Sequence, residues 1–135
     1  MTQDAAVSVK ALVAYAHVAD LERSIAFYRQ LGFSLAGDWE SEGRRVWAHL
    51  RSGDAQLMIA QASAPVVPDQ QAVLFYCYAD DVKRLRQQLQ SAGIACGDVT
   101  YPDYMSEGEI RTVDPDGYVV LVGQPPAATA AKAPS

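Results

Sequence analysis

A chain of 135 residues is long enough for one domain with a substantial core, and with half its residues hydrophobic and a fifth charged its composition excludes wholesale disorder. A net charge of −5 with no run of Lys or Arg argues against a phosphate-tracking surface, so nucleic acid is not an expected partner. The longest uninterrupted apolar stretch, Ala72 to Ala79, falls far short of the roughly 18 residues that span a bilayer, and the short polar lead around Asp4 does not resemble a secretory signal; no membrane partner and a cytoplasmic location are expected.

Residues 1–9 read as a flexible lead. An alternating strand, Val13-Ala14-Tyr15-Ala16-His17-Val18-Ala19-Asp20, follows. Asp20 suits the first exposed amides of a helix, Gly32 suits its left-handed end, and Leu21, Ile25, Tyr28 and Leu31 form its apolar stripe. Strand signals then run from Ser34 to Leu35, Val46 to Leu50 and Leu57 to Ala60, with a turn at Ser52-Gly53-Asp54. Residues 61–70, with Pro65 and Pro68, read as a linker.

After the linker the pattern begins again. An offset of 61 residues carries Asp20 onto Asp81, Leu21 onto Val82, Gly32 onto Gly93 and Phe33 onto Ile94. The second copy opens with Leu74-Phe75-Tyr76-Cys77-Tyr78-Ala79-Asp80-Asp81. Its helix starts at Asp80 or Asp81 and ends at Gly93, with Val82, Leu85, Leu89 and Ala92 as its stripe. Strands Glu109 to Val113 and Tyr118 to Val122 flank the turn Asp114-Pro115-Asp116-Gly117, whose carboxylates read as turn chemistry rather than a catalytic pair. Residues 125–135, Pro-Pro then Ala-rich, are expected to be disordered. The fold class is therefore α+β: two β-α-β-β-β modules, at about 10–60 and 71–124, share the core of one domain spanning 10–124, and the helices cover one side of the sheet.

Alternation divides each strand between two faces. Leu12, Ala14, Ala16 and Val18 suit the helix-covered face, which leaves Val13, Tyr15 and His17 on the other. In the repeat, Val73, Phe75, Cys77 and Ala79 pack under the helix, while Leu74, Tyr76 and Tyr78 face away, as do Trp47 and His49 between Val46, Ala48 and Leu50. So many rings on an open sheet face predict a ligand pocket, although any one of them also suits the core or a dimer contact. The stretch from Tyr101 to Glu109 reads as a mobile cover, with Gly108 as hinge and Tyr104 and Met105 as adaptable surface. Glu109 beside Arg111 reads as a solvated residue or a cross-strand ion-pair partner. Cys77 and Cys96 lack motif spacing, and no phosphate loop, nucleophile elbow or metal-ligand cluster is present.

Val18-Ala19-Asp20-Leu21 through Phe27-Tyr28-Arg29-Gln30-Leu31-Gly32-Phe33, Leu50-Arg51-Ser52-Gly53-Asp54 and Asp114-Pro115-Asp116-Gly117-Tyr118, in that order with the repeat, resemble the vicinal oxygen chelate superfamily. It includes glyoxalase I, extradiol dioxygenases, fosfomycin-resistance enzymes and bleomycin-resistance proteins. The resemblance implies a curved, open sheet around a cavity, commonly completed in a homodimer. Metal-dependent members take His or Glu ligands from four strands. Those positions fall here on Val13, Leu74, Leu121 and, within about a residue, Met58. Aliphatic side chains offer no lone pair, and Met is a soft ligand unsuited to the hard and borderline metals of these enzymes.

The chain therefore looks like the metal-free, bleomycin-resistance-like branch, with no metal and no cofactor, whose members bind and sequester a compound. The expected ligand is a small aromatic or cationic molecule. Its expected contacts are Tyr15, His17, Trp47, His49, Tyr76, Tyr78, Tyr104 and Glu109, the last being where the resemblance implies a pocket glutamate that would recognise an amine or hydroxyl, with no catalytic residue assigned. Two other readings stay open: a metal-independent isomerase or lyase using His17 or His49 as general base, and a subunit whose aromatic face is covered by another chain.

Overall fold

The computed structural model describes residues 7–126. The first six residues, and the expected disordered tail beyond Pro126, lie outside them. The elements are β1 (Ala14–Val18), α1 (Leu21–Gln30), β2 (Ser34–Ser41), β3 (Arg44–Ser52), β4 (Ala55–Gln61), β5 (Leu74–Tyr78), α2 (Val82–Ser91), β6 (Glu109–Val113) and β7 (Val119–Gly123), with single 3-10 turns at Pro68–Gln70 and Asp103–Met105.

The two helices start and stop by the same chemistry. Asp20 accepts from the Arg23 amide at 3.2 Å and Asp81 from the Arg84 amide at 3.0 Å, satisfying a donor that the first turn leaves open. Beyond their ends Gly32 and Gly93 sit at φ 94° and 79°, in the left-handed region that closes a helix.

The strands form two open sheets, ordered β1-β4-β3-β2 and β5-β7-β6. In each, the strand before the helix lies parallel to the last strand of its module, β1 on β4 and β5 on β7, and the remaining pairs are antiparallel. Two expectations fail in detail. β2 continues past Leu35 to Ser41, because a tight turn with Glu42 and Gly43 at φ 54° and 78° folds it back onto β3 and bulges after Leu35 and Trp39 absorb the irregular register. Conversely, the second module lacks its full complement of strands. Residues 94–100 form no strand and pair with β6 at two isolated bridges, Cys96 with Thr112 and Thr100 with Glu109. The Gly97 carbonyl there is taken by the Arg86 side chain at 2.8 Å, and the same guanidinium holds Asp98 at 2.9 Å.

Both helices pack into one core. Val18, Ile25, Leu50 and Ile59 from the first module join Val82, Leu89, Ile110, Val120 and Val122 from the second. Leu12 and Val73, expected beneath the helices, are instead 94% and 62% exposed, because each lies just before its strand begins.

The turn at Asp114–Gly117 fastens the modules together. Asp114 accepts from the amides of Asp116 and Tyr118 at 2.8 and 2.9 Å and from the Tyr28 hydroxyl of α1 at 2.6 Å. Asp116 accepts from the Ala19 amide at 2.7 Å and the Ser24 hydroxyl at 3.3 Å. Both carboxylates are buried, and every one of their four oxygens has a donor, as burial of a charged group requires. Burial nevertheless raises the Asp114 pKa above the ordinary aspartate value, and burial together with Asp114 drives the Tyr28 phenol far up. These two residues serve the turn, as its sequence indicated.

Candidate functional site

The faces of the sheets turned away from the helices carry the candidate residues, in two groups. On the first sheet the register sets Tyr15, Met58, His49 and Gly37 side by side across β1, β4, β3 and β2; the next row is His17, Ala60, Trp47 and Trp39. Tyr15 and His17 meet edge to face at 5.8 Å, and the Trp47 and His49 rings lie 6.3 Å apart, tilted by 37°. Trp39 is 67% and Tyr15 56% exposed, while Trp47 and His49 are half-buried. The His49 Nε2 lies 2.8 Å from Gln56 Oε1, a contact that fixes the orientation of the ring.

On the second sheet the corresponding rows are Tyr78, Gly123 and Glu109, then Tyr76, Leu121 and Arg111. Glu109 is only 7% exposed. Tyr76 donates to its Oε2 at 2.6 Å and Tyr104 to its Oε1 at 3.1 Å. Tyr76 stands on β5 and Glu109 on β6, so the phenol must cross β7, and it does so over Gly123. A Cβ there would lie 2.6 Å from the Tyr76 hydroxyl and 2.9 Å from Met105. Burial and then the Glu109 hydrogen bond push the Tyr76 phenol well above its ordinary range, which keeps it a donor. The bond to Glu109, and burial after it, also raise Tyr104.

The Tyr101-to-Glu109 cover differs from its sequence reading. Gly108, at φ 122°, is wedged where a Cβ would meet Val99 at 2.9 Å and Val82 at 3.1 Å, so it is a packing point rather than a free hinge. Met105 is buried against Gly123 instead of offering an adaptable surface. Arg111 is exposed and forms no ion pair with Glu109; the ion pairs among the described residues are Arg45 with Glu22 and Asp38, and Arg86 with Asp98.

A cleft of about 760 Å³ opens at the free edge of β5, opposite the Ser52–Leu57 turn region, and Phe75 and Cys77 line it. Of the eight candidates it takes in Tyr76 and Tyr78 alone. A single chain thus brings Tyr15, His17, Trp47 and His49 together on one face and Tyr76, Tyr78, Tyr104 and Glu109 on another, without enclosing all eight. Trp39, Met58 and Gln56 were not among the expected ligand contacts. The period-2 pattern of Gln56, Met58 and Ala60 carries the signal for the last two, whereas Trp39 stands in the part of β2 beyond Leu35. Burial raises the Cys77 thiol, as suits a packed residue rather than a nucleophile.

A metal centre does not fit. Met58 stands opposite Tyr15 and Leu121 opposite Tyr76, with Val13 and Leu74 two residues before those tyrosines on the same faces, so the four positions present aliphatic or thioether groups. Among the described residues no three His, Cys, Asp or Glu side chains converge.

The paired β-α-β modules form a fold shared with solved proteins that bind small molecules. A bleomycin-binding protein complexed with bleomycin superposes with a TM-score of 0.69 at 21% identity, covering 87% of this chain and 100% of the other. A bleomycin resistance determinant encoded on the transposon Tn5 gives 0.66 at 21%, covering 87% and 98%. TnmS3, an antibiotic binding protein from Streptomyces sp. CB03234, gives 0.66 at 23%, covering 89% and 100%. At these identities the likeness is one of fold. No curated protein matches the chain by sequence. Residues 12–122 match the Glyoxalase/Bleomycin resistance protein/Dioxygenase superfamily, and the chain belongs to it.

Proposed function

We propose that this protein binds and sequesters a small aromatic or cationic molecule in the cytoplasm, using no metal or cofactor, in a cavity completed by a second copy of the chain. The observation that carries the reading is the row of Trp39, Trp47 and His17 beside Tyr15 and His49: rings gathered on an open sheet face of an acidic protein whose metal-ligand positions are Val13, Met58, Leu74 and Leu121. Such rings hold a planar ligand by stacking, and a cation gains further from their faces and from the net charge of −5. Structural neighbours that bind bleomycin and an antibiotic support the same class of ligand. Exposed Leu12, Tyr15, Leu74 and Tyr78 on one copy support a second copy as the cover. Among the described residues no helix is long and apolar enough to cross a membrane.

The test is native mass spectrometry followed by calorimetric titration with bleomycin. A metal-free dimer that binds bleomycin, and a folded Trp47→Ala variant binding about tenfold more weakly, as the loss of roughly 1.4 kcal/mol of stacking predicts, is the expected result. One divalent metal per subunit, or unchanged affinity in Trp47→Ala, would refute it. A second reading, metal-independent isomerisation or elimination, is favoured by the 2.8 Å contact of His49 Nε2 with Gln56 Oε1, which holds the imidazole in place on the open face. It requires turnover that disappears in His49→Ala while binding persists.

A further inference from the structure

We propose that Glu109 is a recognition point for an organic cation, a primary ammonium or amidinium carried on an aromatic framework, and that the Tyr104 phenol is its exchangeable cap. The proposal rests on the ligand-binding reading above and names the part of the ligand that the second sheet holds.

The argument begins with what Glu109 lacks. A carboxylate 7% exposed, with no cation among its partners, costs free energy to bury unless its lone pairs are taken. Two phenols supply one hydrogen bond to each oxygen, against a capacity of about four. A cationic donor placed at Oε1 answers both deficits, since a charge-assisted hydrogen bond is about twice as strong as a neutral one.

The two phenols are not equivalent. Tyr76 is seated: its hydroxyl packs over Gly123, where it and Met105 occupy the space of the missing Cβ, and its bond to Oε2 is short at 2.6 Å. Tyr104 is 68% exposed and donates at 3.1 Å to the other oxygen. Its backbone is fixed on both sides, by buried Met105 and by the bonds that pair Thr100 with Glu109 at 2.8 and 2.9 Å. Rotation of the Tyr104 side chain alone therefore uncovers Oε1, and no loop has to open. Glu109 shares its register row with Tyr78 across Gly123, and the Tyr76 and Tyr78 rings on that face are 5.4 Å apart and inclined at 56°, faces suited to a cation. Arg111, two residues along the same face, is exposed and unpaired with Glu109, so the site keeps its negative charge.

The test compares 9-aminoacridine, cationic at pH 7.5, with acridine, a nearly isosteric ring that is neutral there, by fluorescence titration of the full chain. Wild type is expected to prefer the cation by about tenfold. Glu109→Gln keeps an acceptor for Tyr76 but loses the charge, and should bring the ratio of cation to acridine affinity to about one. Tyr104→Phe removes the competing donor and should raise the ratio of cation to acridine affinity several-fold; because Tyr104 is exposed, this variant decides the matter if Glu109→Gln does not fold. A wild type that binds both probes equally, a Glu109→Gln that retains the preference, or a Tyr104→Phe that leaves the ratio unchanged would overturn the cation site and leave the aromatic binding surface standing. Failure of wild type to bind either probe would overturn the binding reading and this inference together.

Discussion

Gly123→Ala tests whether the Tyr76–Glu109 bridge depends on an empty position in the middle strand. The added Cβ would lie 2.6 Å from the Tyr76 hydroxyl and 2.9 Å from two Met105 atoms. To reach an ordinary contact of 3.4 Å the hydroxyl must retreat by about 0.8 Å, which breaks its 2.6 Å bond to Glu109. Overpacking costs about 1–3 kcal/mol, and a lost bond to a charged acceptor about 1.5–3. The substitution regains about 0.4–1 kcal/mol by restricting the unfolded chain, as the strand backbone at 123 needs no positive φ. A net loss of about 1.5–5.6 kcal/mol follows, or a melting temperature lower by roughly 5–20 °C for a domain of this size. Thermal unfolding followed by circular dichroism measures it, with Tyr76→Phe and the double variant completing a cycle. Without its hydroxyl the ring no longer meets the Cβ, so the double variant should lose at least about 1 kcal/mol less than the two singles together. Additivity within about 0.5 kcal/mol, or a Gly123→Ala protein that melts with wild type, would refute the proposed steric link.

Tyr28→Phe removes the donor from one Asp114 oxygen in a buried contact between the modules and should cost about 1.5–3 kcal/mol, read as a shift in the urea midpoint; a shift below about 0.5 kcal/mol would show that this hydrogen bond does not hold the modules together. Asp114 also sets a pH dependence. Its folded pKa is raised above the ordinary 3.8 by burial, so in the window opening upward from 3.8 the folded state holds the proton that the unfolded state has lost. Stability from this group is present below that window and falls as pH rises through the folded pKa. Urea midpoints between pH 3.5 and 7 should show that decline in wild type and its absence in Asp114→Asn; equal slopes in the two proteins would contradict the assignment.

Local chemistry made much of the fold readable. Asp20 and Asp81 cap, Gly32 and Gly93 terminate, and the turn at Asp114–Gly117 closes, all within a few residues of sequence. What was not local was misread. Ala36-Gly37-Asp38 carries breaker residues, yet pairing with β3 and two bulges extend that strand to Ser41. The segment 94–100 occupies the place of a strand by repeat but spends a carbonyl on Arg86. Alternation assigned faces correctly within the strands and failed at Leu12 and Val73, because a period says nothing about where a strand starts.

The site shows the same division. The offset of 61 residues takes Tyr15 to Tyr76 and His17 to Tyr78, so the duplication itself places rings at equivalent points on the two outer faces. Beyond that the modules diverge: β3 adds Trp47 and His49, whereas β6 adds Glu109, whose partners lie 33 residues back and 5 residues back in the chain. No periodicity links those three side chains. They meet because β7 carries Gly123 between them, an apparent strand-breaker whose value lies in the side chain it lacks. On the proposed reading one sheet is specialised for the flat part of a ligand and the other for its charge. A ligand touching both needs two such faces opposed, which is the physical reason for expecting a second copy of the chain rather than a deeper pocket in one.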